Sequence, residues 1–178
     1  FPNNTKATRA IDARVWLTGN GWAAAGMLRV AAIISHSPWA DKMQAQHDQL
    51  VQWADDIITA AYQFVDPGTG LLLNAIDDPS TFLDGSGSAL LSYAVFRLAS
   101  MDQGRKKHVD MAEKAYQTLS KSLNSLSQFT NGIQTVNEMQ SNEAGATSTE
   151  SLAFLILMAA ARRDYHANNV TGSTGPLN

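Results

Sequence analysis

A chain of 178 residues that is 44% hydrophobic and 16% charged is long enough for one domain with a sizeable core and too apolar to remain disordered. Its formal net charge of -3 argues against non-specific nucleic-acid binding, which needs a basic face. With no cysteine it has neither disulfides nor thiolate metal sites, and no run of eighteen apolar residues reads as a membrane span.

The chain opens on Phe1-Pro2-Asn3, without the basic stretch and apolar run of a signal peptide, and Phe1 is expected to be a processed terminus. Gly21 to Ser35 reads as a helix that is apolar almost all round and therefore buried on most sides. Ser37-Pro38 ends it. Trp39 to Phe64 reads as an amphipathic helix, with Met43, Leu50, Trp53, Ile57 and Tyr62 on its apolar side. Asp66 to Gly70 is a turn, Leu71 to Ile76 a short extended stretch, and Asp77 to Ser80 a second turn. The order then repeats. Ser86 to Ser100 is a second apolar helix and Lys106 to Leu126 a second amphipathic one. A polar loop from Ser127 to Thr147 carries a strand candidate at Gly132 to Val136. A third apolar helix runs from Thr149 to about Arg163, and the tail 168–178 reads as flexible.

The apolar helices restart near Gly21, Ser88 and Ser151, a period of about 65 residues. Apolar inner helices alternating with half-polar outer ones imply two concentric layers, the pattern of an all-α (α/α) toroid. An ordinary helical bundle is the alternative, but bundles use shorter connections.

Trp16-Leu17-Thr18-Gly19-Asn20-Gly21-Trp22 resembles the Trp-x-Arg-Gly-Asn/Gln-x-Trp segment of the unsaturated rhamnogalacturonyl and glucuronyl hydrolases, six-hairpin glycosidases. Asp84 to Ala89, Ala146 to Phe154 and Ala159 to Tyr165 resemble later stretches of that family in the same order. The resemblance implies an (α/α)6 toroid of which residues 1–178 form a partial domain, roughly the last five helices. It also implies a fungal protein whose catalytic Asp lies on helices before the Trp motif, so that this chain alone lacks the catalytic acid; secretion as a glycoprotein is expected from the sequons at Asn3 and Asn169. The family's Arg in the motif is Thr18 here, and Thr cannot replace a bidentate carboxylate contact.

The candidate site residues sit where inner helices begin. There, free backbone N–H groups and the positive dipole end suit sugar hydroxyls or a carboxylate, or else serve ordinary capping. Substrate contacts are expected from Trp16, Thr18, Asn20, Trp22, Asp84, Ser86, Ser148 and Glu150. Trp16 and Trp22 offer faces for a pyranose ring, or pack the core. Asp12, Asp77, Asp78, Glu138 and Glu143 are further carboxylates near the rim. Sequons at Asn3 and Asn169 are the glycosylation candidates. His36, His47, His108 and His166 are scattered without metal-ligand spacing, so neither metal nor cofactor is expected.

Two functions follow from this pattern, beside a third in which the chain is a helical scaffold that binds a protein partner through its open edges. The first is a glycoside hydrolase for unsaturated uronyl oligosaccharides from pectin or a related polysaccharide. The second is a carbohydrate-binding protein that keeps the cavity and lacks the acid. The expected partners are an oligosaccharide and either the missing amino-terminal half or a second copy, because half a toroid leaves apolar helices uncovered. Nucleic acid and membrane are not expected partners.

Overall fold

The computed structural model describes residues 14–123, 136–137, 140–141 and 148–171. Five α-helices carry the fold: α1 Leu17–Ser35, α2 Gln44–Ala61, α3 Gly85–Met101, α4 Val109–Ser122 and α5 Thr149–Thr171. Short 3-10 turns flank them at Ala40–Lys42, Tyr62–Phe64 and Gln103–Arg105. Strands β1 Val136–Asn137 and β2 Gln140–Ser141 form a two-residue antiparallel ladder in the loop before α5. Gly132 to Thr135, expected to belong to a strand there, lie outside the described residues.

The helices form two layers. The inner layer is α1, α3 and α5, with α3 in the middle against both neighbours; the outer layer is α2 behind α1 and α4 behind α3. The sequence pattern explains the division. In α2 the buried residues Val51, Ala54, Ile58 and Ala61 recur at helical spacing on one face. In α4 the same is true of Val109, Ala112, Ala115 and Leu119. Their small side chains let the outer helices approach the inner ones closely. By contrast, α3 is buried around its whole circumference, and Phe96 at its centre has no exposed surface.

Helix boundaries differ from expectation for identifiable reasons. α1 begins at Leu17, because Gly19 and Gly21 lie inside the helix and serve close packing there. A Cβ on Gly21 would come within 3.2 Å of Leu90, and one on Gly19 within 3.0 Å of the Trp16 ring. α4 begins at Val109, because Asp102 accepts a hydrogen bond from Gly104 N (2.8 Å) and organises a 3-10 turn before it. α5 continues through Asn169 to Thr171, with no Gly or Pro to stop it before Gly172.

The stretch Leu71 to Ile76 is extended, as expected, and pairs on both sides. Asp84 N donates to Leu72 O and Asn74 N to Phe82 O, while Leu17 N donates to Asn74 O and Ile76 N to Val15 O. This stretch therefore ties the start of α1 to the start of α3. The preceding turn is anchored from behind. Gly70 has φ +76, and a Cβ there would meet backbone atoms of Met111 and Ala115 at 2.6 Å. Glycine meets both demands.

Candidate active site

The three inner helices start at one rim, and side chains stitch those starts together. Asp84 is the N-cap of α3, and its Oδ1 accepts from Gly87 N at 3.0 Å. Its Oδ2 accepts from Thr18 Oγ1 of α1 and from Asn74 Nδ2 of the extended stretch, both at 3.2 Å. Ser86 Oγ hydrogen-bonds Ser151 Oγ of α5. Ser148 caps α5 by accepting from Ser151 N at 3.2 Å. Ser88 Oγ accepts from Leu72 N at 2.9 Å.

The expected contacts thus separate into two sets. Thr18, Asp84, Ser86 and Ser148 are buried, at 3%, 0%, 1% and 3% exposure, and spend their polar atoms on one another and on capping. Asp84, expected among the substrate contacts, is enclosed by the helix starts in this chain. Removal from water pushes its carboxyl above the usual carboxylate range, against the hydrogen bonds from Gly87, Asn74, Thr18 and Ser86 that pull it down. Such a carboxyl is suited to general-acid work only where substrate can reach it, and no surface of Asp84 is open. Here it acts as a latch joining α1, α3 and the extended stretch.

The second set remains accessible. Trp22 is 48% exposed and lies edge-to-face with Phe154 of α5 at 5.2 Å and 82°. Its exposed surface is available to stack on a sugar ring. Trp16 and Glu150 are half-buried. Trp16 packs on Gly19, and its Nε1 is buried with no hydrogen-bond partner. Asn20 uses its amide to bond Trp16 O at 2.8 Å, and it lines a cavity of about 440 Å3 with Val15, Asp56, Ile57, Phe64 and Asp77. Asp78 is held in its turn by Ser80, whose hydroxyl and N–H lower the Asp78 carboxyl below its ordinary range.

Sequence reasoning missed Asn74, Ser151 and Phe154. Asn74 had a signal: one polar residue in the apolar run Leu71 to Ile76, where a buried amide needs a partner. Asn3, Asp12, Glu138 and Glu143 lie outside the described residues, and Asn169 sits on the backbone of the last turns of α5. Among the described residues no group of three or more His, Cys, Asp or Glu is placed to hold a metal ion, and no helix is long and apolar enough to cross a membrane.

Solved structures share this arrangement. A possible member of the GH105 family from Klebsiella pneumoniae superposes with TM-score 0.66 at 18% identity, over 83% of this chain and 39% of that one. A corresponding protein from Salmonella enterica gives 0.65 at 20% identity, over 83% and 40%. The unsaturated glucuronyl hydrolase of Bacillus sp. GL1, responsible for the degradation of glycosaminoglycan, gives 0.61 at 17% identity, over 85% and 40%. At these identities the likeness is one of fold, that of the six-hairpin (α/α) toroid, and the chain spans less than half the length of each of these structures. No curated protein sequence matches it. The family model described as Glycosyl Hydrolase Family 88 matches residues 3–159, most of the chain and all of the rim just described, and the chain belongs to that family.

Proposed function

We propose that the chain is the carboxy-terminal half of a glycoside hydrolase acting on unsaturated uronyl oligosaccharides from pectin or a related polysaccharide. One observation carries this reading: in a chain of this family, three inner-helix starts converge on a single rim where Trp22 is half exposed. The resembled reaction is hydration of a vinyl ether, begun by an Asp that protonates the alkene carbon, unlike paired-carboxylate displacement. That acid belongs to the helices that would precede α1. The open edge of α1 and α2, with Val30, Ile33, Trp53 and Phe64 exposed, supports a preceding helical hairpin docking there. Secretion as a fungal glycoprotein is part of the same reading, supported by the sequons at Asn3 and Asn169.

The test is the ultraviolet absorbance of an unsaturated uronyl disaccharide mixed with the complete protein. Steady loss of absorbance is the expected result. No loss, together with saturable sugar binding, establishes instead a non-catalytic carbohydrate-binding protein. One observation favours that second reading: Thr18 stands at the position of the family's Arg and is buried against Asp84, so it presents no cation to a uronate.

A further inference from the structure

At the end of the molecule opposite the rim, three basic side chains from three helices line one cavity of about 490 Å3. His36 is the C-cap of α1, His47 lies in the first turn of α2, and Arg97 is near the end of α3. Ala32, Ser35, Ser100, Met101 and Asn168 complete the lining. Spacing in the sequence gave no reason to associate the two histidines; the fold brings them to a common wall.

Each base is held from behind by an internal acceptor. His36 Nδ1 lies 2.8 Å from Ala32 O and His47 Nδ1 lies 2.9 Å from Asp48 Oδ1, which fixes both imidazoles as Nδ1–H donors and leaves each Nε2 uncommitted. Arg97 Nη1 lies 3.5 Å from Asp164 Oδ2, and Arg163 shares that carboxylate at 2.8 Å. The Ser35 and Ser100 hydroxyls donate to Ala31 O and Phe96 O at 3.1 and 2.8 Å, so they contribute no free donor.

The charges then decide what the cavity takes. With both imidazoles neutral, Arg97 and Arg163 balance Asp48 and Asp164, and the Nε2 atoms are acceptors that repel an anion. Gln44, beside His47, is uncharged, and Arg105, itself paired with Asp55 and Asp102, adds only a more distant pull on Asp48. Protonation turns both Nε2 atoms into donors; Asp48 pairs the charge gained by His47 from behind, while His36 forms no ion pair among the described residues. We propose that this cavity binds a small oxyanion group, such as phosphate, sulfate or a sugar carboxylate, when His36 and His47 are protonated. Its volume is in the range that holds a ligand of monosaccharide size. The 19 residues of α1 put roughly 28 Å between this cavity and the rim, so the inference stands apart from the glycosidase reading.

Calorimetric titration of the complete protein with sodium phosphate, at about pH 5.5 and about pH 8 and at ionic strength fixed with chloride, tests it. Binding of one equivalent is expected at the lower pH, weaker by at least about tenfold at the higher. The double variant His36→Gln, His47→Gln should lose at least about tenfold at the lower pH while its thermal unfolding at the higher pH stays unchanged. Sodium glucuronate, with methyl glucoside as the uncharged control, separates the sources: binding of glucuronate identifies a sugar carboxylate, binding of phosphate alone a free oxyanion. No saturable binding of either at the lower pH, or equal binding by the double variant, overturns the proposal.

Discussion

α1 and α3 are the two most apolar helices of the inner layer, and by composition they are near twins, yet the molecule treats them differently. α3 is covered by α1, α5, α2 and α4 and is buried all round. α1 has α2 and α3 on two sides, while Trp22, Val30 and Ile33 stay exposed, Ile33 at 68%. A helix that is apolar all round thus records how many neighbours its fold provides, rather than how many are present in a given stretch of chain. The open face of α1 is the place where a further hairpin would restore the symmetry that α3 already enjoys.

The contrast can be broken at α3 first. Phe96→Ala should destabilise the protein by about 3–5 kcal/mol, since a fully buried ring leaves a cavity on every side; denaturant unfolding measures it. Next comes the seam between the two helices. A Cβ on Gly87 would sit 2.6 Å from Leu17 Cγ, so Gly87→Ala should cost about 1–3 kcal/mol, and Leu17→Ala in the same chain should recover part of that by a double-mutant cycle. Smallest is the open face: in this stretch of chain by itself Ile33→Ala should shift stability by less than about 0.5 kcal/mol, because its side chain meets water there. A loss of several kcal/mol at Ile33 would mean that the edge is covered in the protein as it exists.

Two titrations sharpen the comparison between the layers. Burial raises the Asp84 carboxyl above its unfolded value, so the stability linked to it is fully present below the unfolded pKa, about 3.9, and is lost as pH rises through the folded one. Asp84→Asn should flatten that limb of the stability profile relative to the parent. In the outer layer His108 behaves oppositely. Burial chiefly, and Lys107 secondarily, depress its folded value against the opposing pull of Asp55, while its ring lies 4.8 Å from that of Tyr62 and its Nε2 is buried without a partner. Stability is therefore full above the unfolded pKa of about 6.5 and falls as pH drops through the folded one. His108→Gln should remove that acid-side loss in urea unfolding followed between about pH 7 and 5.

The layers and most elements were legible in the sequence from their helical periodicity, but the buried face of α2 lies one step from the expected one: Leu50, Trp53 and Ile57 were expected to be its apolar side, whereas Val51, Ala54 and Ile58 are buried and Trp53 is 49% exposed. The rim was legible as a place and not as a set of roles. Asp84 and Ser148 open helices, and capping and ligand binding both call for a short polar side chain at that position. What separates them is whether water reaches the group, and that depends on Asn74 and Thr18, ten and 66 positions away from Asp84. The helix was expected from Gly21 and begins at Leu17; Gly19 and Gly21 lie inside it, where they allow close contact with Trp16 and Leu90. His36 and His47 meet only because α1 and α2 fold back into a hairpin.

An all-apolar helix has a hidden weakness: greasy on every side, α3 could turn about its own axis like a smooth rod and lose little burial. Its serines remove that freedom. Ser86 reaches Ser151 of α5, Ser88 holds Leu72 N of the extended stretch, and Ser92 meets the Tyr62 hydroxyl beside α2, 3.2 Å away. Three hydroxyls directed at three different neighbours work as keys in separate slots, so that only one rotational setting of the rod satisfies all of them, and that setting brings the start of α3 into line with the rim.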